Sequence, residues 1–364
     1  MKNYLYDITL KPFFFKLSPE DAHDLSKNLL SFADAMPGVF SILQEMFTYR
    51  SKRLEVNAFG IQFPNPLGMA AGFDKTGELY PFLARLGFGH VEVGTITGEE
   101  QPGNPKPRLF RYEEAESLVN RMGFNNPGAL KAKKTIVSQK KTIPRGINAG
   151  KTKLVEPEHA VFDYTKTISE LAPLSDYGVI NISSPNTPGL RDFQELGAMK
   201  ELVEGIRKEL GGEFPIPMLI KFAPDLEEDQ LRVLLDAALE LRLDGVILTN
   251  TTIDKAKLQT KRQIETGGIS GKALKDLSTQ RIRTAYEHLQ GRLPIIGVGG
   301  IFSGEDALEK ILAGASLVQI YTGYIYKGPF LPFQILEYLD KFLQKNKVDK
   351  IERLVGMEKN FMRN

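Results

Sequence analysis

The sequence predicts an α/β chain closed into a (β/α)8 TIM barrel, with an N-terminal α-helical hairpin in front of it. Three observations carry this. Short apolar, β-branched runs ending in Gly or a small polar residue recur at 66–72, 91–97, 146–150, 177–184, 217–223, 245–251, 294–300 and 317–323. Apolar residues at helical spacing fill most of the intervals, at 78–86, 164–174, 227–241, 276–289 and 305–313. Strands alternating with helices over ~270 residues fit a barrel, which takes ~250. The alternative is a doubly wound sheet, but no G-x-G-x-x-G follows the first run, where its dinucleotide signature would stand.

The chain has 364 residues, none of them Cys or Trp. Absence of Cys removes disulfides, thiolate metal sites and every thiol nucleophile or base, and no metal is expected. With 42% hydrophobic and 25% charged residues the composition is that of an ordinary globular protein. The net charge of +2 gives no reason to expect nucleic acid. No run of 18 apolar residues could span a bilayer. The first residues carry neither a secretory nor a transit signal.

Residues 1–50 read as a separate helical element before the barrel of 51–364. Apolar residues crowd positions 4–17, and Ser18-Pro19-Glu20-Asp21 is a helix start, with Ser as the cap and Pro in the first turn. Ala22, Leu25, Leu29, Leu30, Phe32 and Ala33 follow at helical spacing, and Pro37-Gly38 stops the run. A third short helix is expected between Val39 and Phe47. The element either covers the main domain as a flap or dips into a membrane surface without crossing it.

In a barrel, chemistry gathers at the C-terminal ends of the strands. Here those ends carry Ala71 to Lys75, Thr95, Asn148, Asn181 with Ser184, Asn186 and Thr187, then Lys221, Thr249 to Thr251, Gly299-Gly300 and Tyr321-Thr322. Singly these are turn residues. Together they direct two Lys and many amides and hydroxyls at one face, which suits an anionic, hydrogen-bonding ligand. Gly297 to Gly300 precede Ser303-Gly304-Glu305-Asp306, a helix start, and that pairing predicts a phosphate site at the helix N-terminus. Lys221 sits inside an apolar run and needs a partner. It is either a Schiff-base lysine or a cation facing an electron-rich cofactor. The stretch 131–153 carries eight basic residues and no acid. It reads as a solvated surface, as an attractant for anionic lipid or substrate, or as a lid hairpin.

Several motifs are recognisable as a set. Residues 65–75 (NPLGMAAGFDK), 103–111 (GNPKPRLFR), 120–126 (NRMGFNN), 181–191 (NISSPNTPGLR), 221–225 (KFAPD), 249–252 (TNTT), 267–271 (GGISG), 297–300 (GVGG) and 313–322 (AGASLVQIYT) closely resemble the dihydroorotate dehydrogenases. The resemblance runs from about Leu10 to about Tyr338 and is to class 2, the membrane-associated, quinone-reducing branch.

What the resemblance implies is an FMN enzyme of pyrimidine biosynthesis that oxidises (S)-dihydroorotate to orotate and passes electrons to a membrane quinone. Its FMN contacts fall on Ala71, Gly72, Phe73, Asp74, Lys75, Thr95, Asn148, Asn181, Lys221, Thr249, Gly271, Gly300, Tyr321 and Thr322. Its substrate contacts fall on Lys75, Asn120, Arg121, Met122, Gly123, Phe124, Asn181, Asn186, Asn250 and Thr251. The catalytic base falls on Ser184, with Thr187 and Phe124 framing a proton exit. His23, Arg111 and Tyr321 match positions lining a quinone tunnel, while Ile325 stands where some members carry Thr. Absence of Cys fits the branch whose base is Ser. The start of the chain near the hairpin points to the bacterial type, a peripheral monomer on the cytoplasmic side of the cell membrane.

Overall fold

The computed structural model describes residues 6–34, 38 and 44–361. An antiparallel hairpin, β1 (Val56–Ala58) and β2 (Ile61–Phe63), precedes the first barrel strand, β3 (Leu67–Met69). Strand β4 (His90–Ile96) follows, then β5 (Leu109–Tyr112), β6 (Ser117–Asn120), β7 (Arg145–Ala149), β8 (Tyr177–Asn181) and β9 (Met218–Phe222). The last strands are β10 (Gly245–Leu248), β11 (Gly268–Gly271), β12 (Ile295–Val298) and β13 (Leu317–Ile320). Strands β3, β4, β7, β8, β9, β10, β12 and β13 pair in parallel in that order, and β13 closes on β3.

All eight barrel strands fall on the runs read from the sequence. Each is buried along its length, because helices cover the outside and side chains fill the inside, which is why these strands read as unbroken apolar runs. The floor is plugged by aromatics. Phe59 and Gly60 both have positive φ (56° and 73°) in the two-residue β1–β2 turn. That turn brings Phe59 and Phe63 against Tyr177, with ring centroids 6.3 and 6.5 Å away.

Helices Ala160–Leu171, Glu228–Glu240, Lys275–Leu289 and Gly304–Ala313 stand near the expected places. The expected helix at 78–86 is a single turn, Tyr80–Leu83. Ahead of it, the Asp74 carboxylate accepts from Gly77 N (2.8 Å) and Leu79 N (3.1 Å), which holds a loop where a longer helix was expected. The basic stretch is not a lid hairpin. It forms the helix Ala129–Val137 and barrel strand β7. Three of its surface lysines meet acids: Lys131 pairs with Glu100, Lys133 with Glu170 at 2.9 Å and Lys141 with Asp176 at 2.6 Å. Lys134, Lys140 and Lys153 are exposed on the same stretch.

One element was not anticipated. Strands β5, β6 and β11 form an antiparallel three-stranded sheet from the loops after β4 and β10. It stands over the barrel mouth and carries its own small core of Tyr112, Val119, Leu258 and Ile269.

The N-terminal segment enters as helical turns, Tyr6–Leu10 and Lys11–Lys16, then the helix Pro19–Asp34. Ser18 Oγ accepts from Asp21 N at 3.2 Å, the cap the sequence predicts. The segment docks on the barrel face through a few polar anchors. Glu20 meets Arg108 at 3.0 Å, Tyr6 OH donates to Ile325 O at 2.8 Å, and Lys27 pairs with Glu78. The predicted third helix lies partly outside the described residues; 44–47 are helical, and Phe47 packs on Phe330 with ring centroids 4.4 Å apart.

Candidate active site

A cavity of about 150 Å³ opens at the C-terminal ends of the barrel strands, beneath the three-stranded sheet. Its floor is a continuous polar network. Thr95 Oγ1 donates to Asn148 Oδ1 (2.6 Å), and Asn181 Nδ2 reaches both Thr95 Oγ1 (3.1 Å) and Asn148 Oδ1 (3.0 Å). Asn148 Nδ2 donates down to Glu92 at 2.6 Å, and Gln319 Nε2 donates to the same carboxylate at 2.7 Å. Lys221 Nζ lies 3.8 Å from Glu92, both side chains buried. Glu92 is the partner that Lys221 needs. It was missed in the sequence, although a lone acid in the run Val91-Glu92-Val93 was a visible signal.

The mouth of the cavity is amide-rich. Ser183 Oγ donates to Asn181 Oδ1 (3.0 Å), and Asn250 Nδ2 donates to Ser183 Oγ (3.0 Å). Asn186 Nδ2 donates to Asn120 Oδ1 at 3.2 Å. Ser184, Asn120, Met122, Gly123, Phe124 and Thr251 also line the cavity. The loop holding Ser184 is clamped from behind. Arg191 donates through Nε to Ser183 O (3.1 Å), through Nη2 to Thr251 O (3.0 Å) and through Nη1 to Asp225 Oδ2 (2.9 Å).

The opposite end is built of backbone. Gly299, Gly300, Ile301, Thr322 and Gly323 line it. Gly300 has φ +72°, and a Cβ there would stand 2.3 Å from Lys275 Cα, so only glycine lets this turn lie against the next helix. The expected helix start does not line this end: Ser303 to Asp306 lie outside the cavity wall, Ser303 Oγ accepts from Asp306 N, and Asp306 accepts from Phe302 N and pairs with Lys275 at 2.6 Å.

Of the residues singled out from sequence, Ala71, Gly72, Lys75, Thr95, Asn181, Lys221, Thr249, Gly271, Gly300, Tyr321 and Thr322 all line this cavity. Others do not. Asn148 lies one layer deeper. Asp74 turns away to cap its own loop; burial raises its pKa to about 6 against those backbone hydrogen bonds. Arg121 points outward to Glu265 (3.0 Å) and stacks on Phe110. Thr187 is buried, and its hydroxyl has no partner among the described residues.

Phe73 belongs to a second, apolar cavity of about 310 Å³ between the N-terminal helices and the barrel. Phe14, His23, Leu30, Arg111 and Tyr324 line it as well. His23 meets Phe73 edge-on at 5.2 Å, and Phe73 meets Tyr321 at 5.6 Å. Burial, reinforced by Lys75, lowers the His23 pKa to about 4, so it is neutral at pH 7. Arg111 donates to Phe14 O (3.3 Å) and lies over the Phe15 ring. Lys75, Tyr321, Leu109, Leu118 and Met122 face both cavities and form the wall between them. Burial lowers the Lys75 pKa to about 8, which leaves it mostly charged at pH 7.

A closed parallel barrel with lysines, amides and glycine backbone converging on one cavity is the architecture of a (β/α)8 enzyme for an anionic ligand. The chain belongs to the dihydroorotate dehydrogenase family, whose model matches residues 53–343. It is 45% identical over 342 residues to a dihydroorotate dehydrogenase (quinone) of Christiangramia forsetii, covering 94% of this chain and 99% of that protein. A Gloeobacter violaceus protein of the same name is 44% identical, over 95% of this chain and 97% of its own. These relatives are of the quinone-linked class, and the family is one of oxidoreductases. A crystal structure of ligand-free DHODH from Eimeria tenella superposes with a TM-score of 0.84 at 34% identity, covering 93% of this chain and 99% of that one.

Proposed function

We propose that this chain oxidises (S)-dihydroorotate to orotate with bound FMN and a membrane quinone as acceptor, a step of pyrimidine biosynthesis. The observation that carries this is the junction of two unlike cavities across one wall, Lys75 and Tyr321, with Ser184 on the polar side and His23 and Arg111 on the apolar side. A polar chamber for a small anion beside an apolar chamber for a quinone is what a two-substrate redox enzyme of this kind requires.

The residues present fit FMN. The glycine turn at 299–300 and the backbone at 322–323 suit its phosphate, and the Thr249 hydroxyl is buried without a partner in the cavity wall. FMN held there would supply the hydride-accepting redox chemistry that links dihydroorotate oxidation to quinone reduction. Lys221, fixed by Glu92, supplies positive charge at the ring end. Lys75 pairs with the substrate carboxylate. Asn120, Asn181, Asn186 and Asn250 present both donors and acceptors to the imide edge. Ser184 Oγ takes the proton from substrate C5 as its own hydroxyl proton leaves along the path that Thr187 and Phe124 border.

Residues 1–50 form the quinone-side element and 51–364 the catalytic barrel. Ile8, Phe13 and Phe32 are 53%, 55% and 63% exposed, an apolar face turned away from the barrel and suited to a lipid surface. Among the described residues no helix is long and apolar enough to cross a membrane. The protein is then a monomer held peripherally at the cytoplasmic side of the cell membrane. The test is Ser184→Ala: it should retain FMN but bleach far more slowly with dihydroorotate. Bleaching as fast as the wild type contradicts the assignment of the base.

A further inference from the structure

Lys310 is fully buried on the helix Gly304–Ala313, and no part of the chemistry above uses it. Among the described residues its ammonium donates only to neutral oxygens: Thr279 Oγ1 at 3.0 Å, Ser278 Oγ at 3.2 Å and Lys275 O at 3.4 Å. The nearby acids are engaged elsewhere, since Asp306 and Glu309 hold Lys275 at 2.6 and 3.0 Å. A buried cation without a carboxylate of its own is costly unless something compensates it.

Its surroundings show where compensation could come from. Ser278 Oγ, which accepts from Lys310, donates to Val298 O at 2.6 Å, at the end of β12. The next two residues are Gly299 and Gly300. A Cβ on Gly299 would stand 3.1 Å from Ser278 Cβ, and one on Gly300 would stand 2.3 Å from Lys275 Cα. The glycine turn therefore rests directly on the residues that hold the ammonium, with the cavity on its other side. We propose that Lys310 is a positioning residue for the flavin phosphate, its ammonium lying one layer behind the Gly299–Gly300 turn. This rests on the FMN reading above. Burial lowers the Lys310 pKa to about 7, against the pull of Glu309 and Asp306. A nearby phosphate dianion would favour the charged form.

FMN and riboflavin share the ring and differ in the phosphate, so together they isolate the effect. Full-length wild type and Lys310→Met, an apolar side chain of similar length that suits burial, are stripped of flavin and titrated by quenching of flavin fluorescence. Lys310→Gln is the second variant should the first not fold. The substitution should weaken FMN binding by a factor of about ten or more, the scale of one unit charge at roughly 12 Å with an effective ε of ~20, and leave riboflavin binding unchanged. Equal weakening of both flavins, or of neither, overturns the proposal while leaving the FMN reading intact. A wild type that binds no FMN overturns both.

Discussion

Arg191 offers the sharpest perturbation of the proposed chemistry, because it touches neither cavity yet holds both loops that shape the mouth of the site. Its guanidinium spans Ser183 O, Thr251 O and Asp225, and Asp225 in turn accepts from the Thr252 hydroxyl and Ile253 N. The Ser183 carbonyl belongs to the peptide that leads into Ser184, so its orientation sets where the base points. Arg191→Ala removes three hydrogen bonds from a charged donor that is only 21% exposed. Hydrogen bonds to charged groups contribute ~1.5–3 kcal/mol each, but not additively, and the ion pair with Asp225 is partly solvated. A total of about 2–4 kcal/mol is the scale set by these terms. Misplacing a reacting group by ~1 Å costs up to ~100-fold, so flavin reduction by dihydroorotate should slow ~10–100-fold. The assay is anaerobic stopped-flow absorbance of the FMN-loaded protein in two separate steps, reduction by dihydroorotate and reoxidation by a short-chain quinone. Only the first should slow, and Arg191→Lys should recover only part of the loss, because an ammonium keeps the charge but lacks the planar fork that reaches Ser183 O, Thr251 O and Asp225 together. Wild-type reduction rates in Arg191→Ala with full FMN content would refute the positioning role.

Two further perturbations test the buried polar framework. Glu92→Leu leaves Lys221 buried without its counter-ion and Asn148 and Gln319 without their acceptor; removal of one partner of such a pair costs ~3–5 kcal/mol, and calorimetry should show a midpoint lower by roughly 5–10 °C. Burial pushes the Asp340 carboxyl up, but hydrogen bonds from Arg53, Ser51, Tyr49 and Gln344 outweigh it and hold the pKa at about 2. Its folded pKa lies below the unfolded value, so its stabilisation is present above about pH 4 and is lost as the pH falls toward 2. Asp340→Asn should therefore lower the melting temperature at pH 7 and flatten its dependence between pH 4 and 2; an unchanged slope there would contradict the assignment.

The barrel was legible because parallel strands buried on both faces leave unbroken apolar runs, and all eight were found from that signal. Strands β5, β6 and β11 were not, since they are four residues each: β5 and β6 make a short local hairpin, and β11 joins it across about 150 residues, Gly268 opposite Asn120. Lys75, Ser184, Asn181 and Lys221 could be read from their places at strand ends. What composition could not show was direction. Asp74 and Arg121 sit in the right loops but turn away, one to cap backbone amides and the other to meet Glu265. Glu92 was hidden for the opposite reason. An acid inside a strand looks like an exposed residue until the barrel closes and points it at Lys221. The helix start at Ser303 lies outside the cavity wall, whereas the Gly299–Gly300 turn read with it lines the cavity.

The most direct measurement is the visible spectrum of the purified protein, first alone, then with dihydroorotate in the absence of oxygen, then with a quinone. A flavin spectrum that bleaches with dihydroorotate and returns with the quinone is the expected result. A colourless protein that takes up no FMN, or a flavin that dihydroorotate leaves oxidised, would contradict the proposed function.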